Sequence, residues 1–184
     1  ASARRLAVAA VVPPPGPLFG LTTDHFIRVA RPLLQWTASR GAFSPIAYTV
    51  VLDGKPIATT AATSLELPAA LTDGVHQWQV IARDSLGQQT PGPVRALRIA
   101  ARPPAVAIAV SGSRRAGAAL GFAVAVKAPA GLAALTIDFG DGTARARGVR
   151  ASHRYARAGR FTVRVSAVDR LGNRAVVARP IAIV

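Results

Sequence analysis

Residues 135–142 read LTIDFGDG. Leu135, Ile137 and Phe139 alternate with Thr136 and Asp138, the period of a half-buried strand, and that strand runs into Gly140-Asp141-Gly142. Two aspartates three apart among glycines suit either a metal loop or a reversal of the chain. Calcium takes about six to eight oxygen ligands, whereas this stretch offers two carboxylates with Arg145 and Arg147 close behind. Glycine supplies backbone angles that other residues resist, and an aspartate can hold nearby amides. Asp138, Gly140, Asp141 and Gly142 are therefore read as a turn, and neither a metal nor a cofactor is expected.

The same pattern recurs along the chain. In YTVVL, Tyr48, Val50 and Leu52 face one way, and Asp53-Gly54 follows as a hairpin turn. HQWQVIA sets His76, Trp78, Val80 and Ala82 on one face, and FTVRVSA sets Phe161, Val163, Val165 and Ala167 inward with Thr162, Arg164 and Ser166 outward. No stretch keeps a helical apolar period together with caps and good helix formers. The expected class is all-β.

The two halves share a signature. Val80-Ile-Ala-Arg-Asp84-Ser-Leu-Gly87 matches Val165-Ser-Ala-Val-Asp169-Arg-Leu-Gly172 at a spacing of 85 residues, and Gly74 and Gly159 precede the two copies at the same distance. Two tandem immunoglobulin-like β-sandwich domains are expected, over residues 17–101 and 102–184, after an N-terminal linker or first strand over 1–16. Ala101-Arg-Pro-Pro-Ala105 between them reads as a short, stiff, proline-containing joint.

Charge is the most unusual feature of the composition. The 184 residues carry a formal +15, almost wholly as arginine, with Lys55 and Lys127 the lysines. Such a skew suggests GC-rich coding as much as selection for charge. Its distribution says more: nine basic and five acidic residues lie through Ala101, against fourteen and three from Arg102 onward. The chain has no cysteine, which rules out disulfides and thiol chemistry and leaves the redox compartment open. No apolar run approaches the roughly 18 residues of a membrane helix. Arg4 and Arg5 before Leu6–Val12 have the look of a twin-arginine export signal, but an apolar run that short, ended by Pro13, Pro14 and Pro15, reads better as linker or strand.

Ile137-Asp138-Phe139-Gly140-Asp141-Gly142, then Ser152-His153-Arg154-Tyr155, then Gly159-Arg160-Phe161-Thr162-Val163 and a strand ending at Asp169 resemble the PKD (polycystic kidney disease) domain. Several ordered motifs match from Pro103 onward; Ile137 stands where the family usually has Trp. The resemblance implies a non-catalytic β-sandwich, usually exported, used as a spacer or recognition module in surface proteins and beside catalytic domains of secreted hydrolases. Less specifically, Trp36 in LLQWTAS, then YTVVLDGKPI, then Leu71-Thr-Asp-Gly-Val-His76 and Gln79–Asp84 resemble bacterial immunoglobulin-like and fibronectin type III domains.

Candidate chemistry is sparse. His25, His76 and His153 fall on different strands, and Asp53, Asp73, Asp84, Asp141 and Asp169 fall in turns, so no nucleophile-and-base set converges. No enzyme activity is expected. Trp36, Tyr48, Trp78, Tyr155 and Phe161 sit on inward faces rather than on an exposed glycan platform, while Phe19, Phe26 and Phe43 are open. The sharp surface feature is Arg145, Arg147, Arg150, Arg154, Arg157 and Arg160, within sixteen residues, with parity that could project much of the charge from one sheet face or edge. It reads either as a solvated face that discourages strand pairing or as a binding face for an anionic polymer: wall polymer, acidic polysaccharide, lipid headgroup or nucleic acid. No nucleic-acid motif accompanies it, so nucleic acid is the least favoured.

The resulting expectation is a structural or interaction segment of an exported, larger bacterial protein at the cell surface or outside the cell. Its partners would be other surface proteins or cell-wall or extracellular polysaccharide. An anionic-polymer binding module and an accessory domain of a secreted hydrolase are the alternatives.

Overall fold

The computed structural model describes residues 25–39 and 45–184. The expected linker or strand at 1–16, together with Phe19 and Phe43, lies outside the described residues. Every helix or strand among those described is a strand, and the chain divides into two compact units, Ala1–Ile99 and Ala100–Val184.

The first unit contains β1 (Phe26–Ile27), β2 (Leu33–Gln35), β3 (Ala47–Leu52), β4 (Lys55–Thr60), β5 (Ser64–Glu66), β6 (Gly74–Arg83), β7 (Gln89–Pro91) and β8 (Arg95–Ile99). One sheet runs β1-β8-β6-β3-β4 with β7 also on β6, and a second pairs β2 with β5. Alternation dictates the burial: Tyr48 and Val50 from β3 and Trp78, Val80 and Ala82 from β6 are buried, together with Leu34 from β2. Trp36, just past β2, meets Tyr48 edge-on at 5.7 Å between ring centroids, and the Tyr48 hydroxyl accepts from the Ser39 amide at 2.8 Å. That contact joins the two sheets. The β3–β4 reversal is the expected Asp53-Gly54 turn, with φ of 49° and 78°, the left-handed pair that a two-residue hairpin of this twist requires.

The second unit contains β9 (Ala105–Gly112), β10 (Ala119–Lys127), β11 (Leu132–Asp138), β12 (Ala146–Arg147), β13 (Arg150–Arg154), β14 (Gly159–Asp169) and β15 (Arg174–Ile183). They form a three-stranded sheet, β13-β10-β9, and a four-stranded sheet, β12-β11-β14-β15. Between the sheets lie Leu120, Phe122 and Val124 from β10, Leu135 and Ile137 from β11, Val163, Val165 and Ala167 from β14, and Ile181 and Ile183 from β15. Ile137 is wholly buried, so the isoleucine fills its core position. Burial of each such aliphatic side chain contributes about 1.5–3 kcal/mol. Arg179 turns its guanidinium toward the Ile108 carbonyl of β9, tying the edge strand β15 to the facing sheet.

The 85-residue repeat extends to whole sheets. β3-β6-β8 in the first unit and β11-β14-β15 in the second are joined in the same order, all antiparallel. Gly74 and Gly159 open the corresponding central strands with φ of 146° and 154°, a region closed to side-chain-bearing residues. At the far end of those strands, the Asp84 and Asp169 Oδ1 atoms each accept two amides, from Leu86 and Gln88 and from Leu171 and Asn173. The shared D-x-L-G motif is thus one hydrogen-bonded turn built twice.

Candidate functional site

β11 leaves the core at Asp138 and the chain turns back through Phe139–Thr143. Asp138 Oδ1 accepts the Gly140 amide at 2.9 Å, and its Oδ2 accepts Arg145 Nε at 3.1 Å. The Gly140 amide, then the guanidinium of Arg145 and the nearby charge of Arg164, hold the Asp138 carboxyl below its ordinary range. Asp141 Oδ1 accepts the Thr143 amide and hydroxyl at 3.2 and 2.6 Å, and its Oδ2 meets His153 Nε2 at 2.7 Å. Burial alone would raise the Asp141 carboxyl; the bonds from Thr143 and His153 outweigh it and bring it down. All four carboxylate oxygens are therefore engaged by donors of the chain itself, as a turn requires and an open ligand set does not.

His153 comes from β13 in the opposite sheet, so the Asp141 contact spans the two sheets. Its ring stacks on Phe139 at 4.1 Å and 5° between planes, and meets Tyr155 edge-on at 4.6 Å. The Tyr155 hydroxyl donates to the Phe139 carbonyl at 3.0 Å, and Tyr155 packs on Phe161 at 4.4 Å. Burial, with the Asp141 charge, pushes the Tyr155 hydroxyl up to about 12, which keeps it protonated and donating. Gly140 has a φ of +79°, and a Cβ there would lie 2.3 Å from the Thr162 carbonyl oxygen of β14. The turn is thus pressed against the neighbouring strand at Gly140, while Gly142 faces open space. Thr143, Thr162 and the Asp141–His153 pair are the parts of this clasp that sequence reading did not supply.

A second aspartate–histidine pair lies in the first unit. His76 Nδ1 meets Asp53 Oδ2 at 2.7 Å, its Nε2 meets the Thr72 carbonyl at 3.0 Å, and Asp53 Oδ1 accepts the Gln77 amide at 2.8 Å. Both ring nitrogens face acceptors, an arrangement that the protonated imidazole, a donor at both, satisfies in full and the neutral ring only in part. Burial pulls the His76 pKa down, but the bonds to Asp53 and Thr72 carry it upward on balance. Both histidines thus brace turns. His25 sits just before β1, and Asp73 just before β6. Among the described residues no three of His, Cys, Asp and Glu gather as a metal set. Phe26 is half-buried in β1.

The arginines divide between the two sheets of the second unit. Arg147 pairs with Thr136 on the outward side of β11, and Arg160 lies outward on β14 opposite Ala182. Arg145 joins them through Asp138. Arg150 and Arg154 lie opposite Ala123 and Ala119 on the outer face of the three-stranded sheet, with Arg154 Nη1 donating to the Gly117 carbonyl at 2.9 Å. Arg157 is exposed in the loop between β13 and β14. Two further arginines join the first group: Arg164, directly opposite Asp138, and Arg174, opposite Val168. The outward parity of FTVRVSA already marked Arg164.

Residues 107–179, which run from β9 through the clasp and into β15, match the PKD domain family. The second unit carries a PKD domain. Among solved structures, the chain is similar to the PKD1 domain of Vibrio anguillarum Epp, at 20% identity over 45% of this chain and 94% of that one, with a TM-score of 0.40. It is similar to the PKD1 domain of the Vibrio cholerae metalloprotease PrtV, at 16% identity over 44% and 96%, with a TM-score of 0.39. It is also similar to the fibronectin(III)-like modules of Clostridium thermocellum CbhA, at 13% identity over 95% and 93%, with a TM-score of 0.37. No curated protein matches the chain. In the PKD unit the family's GDG turn and H-x-Y strand are thus the two halves of one clasp across the sandwich.

Proposed function

We propose that this chain is a non-catalytic structural and interaction segment of an exported, larger bacterial protein, composed of two tandem sandwich domains over residues 17–101 and 102–184. The observation that carries this reading is the engagement of the motif side chains. Asp138, Asp141 and His153 in the PKD unit, and Asp53 and His76 in the first, hold turns and join sheets. Each of these side chains is accounted for by a bond within the fold, and none is aligned with a nucleophile that it could activate. PKD modules are non-catalytic as a family, which favours the same reading, and other surface proteins or extracellular polysaccharide are the partners it calls for. No helix among the described residues is long and apolar enough to cross a membrane.

The test uses the whole parent protein in its own host, with an epitope tag placed in the segment. Protease added to intact cells, or assay of the medium, should find the tag outside. A tag protected in intact cells and cut only after lysis overturns export. Turnover of ester, peptide or glycoside substrates by the purified segment, lost on substitution of Asp141 or His153, overturns the non-catalytic role.

A further inference from the structure

The geometry points to the outer face of the β12-β11-β14-β15 sheet as a docking surface for an extended acidic polysaccharide. This deepens the interaction half of the reading above by naming the partner's chemistry. Strand parity fixes the members: Arg147 on β12, Arg160 and Arg164 on β14, and Arg174 on β15 all point away from the core, and all are exposed. Arg145 stands beside them on Asp138, the carboxylate of this face, which Arg164 also faces across the β11–β14 ladder. With strands about 5 Å apart and residues rising about 3.3 Å each, neighbouring cations of this set lie roughly 12–14 Å apart along and across the sheet. That spacing suits a long chain carrying repeated charges better than a single small anion.

The rest of the face selects among polyanions. Beside the arginines, β15 presents Val176, Ala178, Pro180 and Ala182 outward, and all four are exposed. Such a strip of small apolar groups suits the C–H faces of sugar rings. Its outward strand positions carry no aromatic ring on which a base could stack, and the described residues of this unit include no helix to enter a duplex groove. Arginine, a planar fork of donors, pairs well with carboxylates and sulfates. Arg150 and Arg154 face the other way, on the outside of the opposing sheet, and belong to a different surface.

The test measures binding of the full chain to polygalacturonate, heparin, neutral dextran and duplex DNA at about 50 mM salt and upward, where screening is weak enough to see charge-driven binding. The R147S/R164S/R174S variant is expected to lose at least about 30-fold in affinity for the acidic polysaccharide, with the slope of log K against log salt falling by about 2–3. The R150S/R154S control should change it by less than about 2-fold, since those charges lie on the opposing sheet. Binding of heparin alone assigns sulfate, and binding of polygalacturonate assigns carboxylate; either supports the proposal. Equal losses in the two variants, equal retention on dextran, no binding to either acidic polymer, or tighter binding of DNA through the same arginines overturns it. R174Q, at an exposed position, keeps the test open if the triple variant does not fold, with a slope decrease of about 1 expected. Failure here leaves the cell-surface test unaffected, so the two readings fall separately.

Discussion

The imidazole of His153 lies flat on the Phe139 ring, 4.1 Å between centroids, while its Nε2 holds Asp141 Oδ2 at 2.7 Å. One side chain therefore joins the GDG turn of one sheet to a strand of the other. Both partners are nearly buried, with side chains 11% and 12% exposed. Sequence alone suggests that loss of Asp141 is a mild loss of a turn bond. The clasp makes it larger: Asp141→Ala and His153→Ala should each cost about 2 kcal/mol, and the double variant clearly less than their sum. Urea denaturation followed by far-ultraviolet circular dichroism measures this. Fluorescence of Trp36 and Trp78, both in the first unit, should be unchanged. Additive costs would remove the clasp.

Gly140 and Gly142 should differ sharply. At both, a side chain meets an unfavourable positive φ, worth about 1 kcal/mol. At Gly140 the added Cβ also collides with the Thr162 carbonyl at 2.3 Å, a backbone atom that cannot swing aside. Gly140→Ala should therefore exceed Gly142→Ala by about 2 kcal/mol or more, seen as separate denaturation midpoints. The sequence reads both glycines alike as turn positions; the tight approach to β14 is what sets Gly140 apart. Equal midpoints would count against it.

The first unit should lose stability as pH rises. His76 has its pKa raised from an ordinary 6.5, because the bonds to Asp53 and Thr72 favour the charged ring more than burial disfavours it. A raised folded pKa means the contribution is complete below 6.5 and disappears as pH climbs through the folded value. The urea midpoint read by tryptophan fluorescence should fall across that window in the native protein and not in His76→Ala. A midpoint that rises with pH would contradict the sign.

Gln88→Asn should stabilise the first unit. In the second, Asn173 Nδ2 donates to Asp169 Oδ2 at 2.7 Å, whereas Asp84 Oδ2 is buried without a hydrogen-bond partner and Gln88 occupies the matching place. Copying the shorter amide should satisfy that oxygen and add about 0.5–1.5 kcal/mol. Conversely, Asp169→Ala should cost more than Asp84→Ala, because it also strips the bond from a buried amide. Calorimetry that resolves the two units would detect both; a lower first-unit Tm in Gln88→Asn would refute the equivalence of the turns.

The local grammar of this protein is legible without coordinates. Alternation in LTIDFGDG, YTVVL, HQWQVIA and FTVRVSA sets which residues are buried, because a strand's side chains point to opposite faces with a period of two. Asp53-Gly54 marks its hairpin because few residues tolerate positive φ, and the D-x-L-G repeat marks the same turn twice. What required the tertiary structure is which strand lies beside which. His153 meets Asp141, and His76 meets Asp53, across 12 and 23 residues of chain, so their pairing depends on sheet order rather than on spacing. Gly140 is critical only because β14 passes against it. Arg147 and Arg150 are three apart and look like one patch, yet between them the chain leaves β12 at Gly148-Val149 and enters β13 of the opposing sheet. Parity within a strand is a property of the chain; the face a strand presents is decided by its hydrogen-bonded neighbours, and those lie far away in sequence.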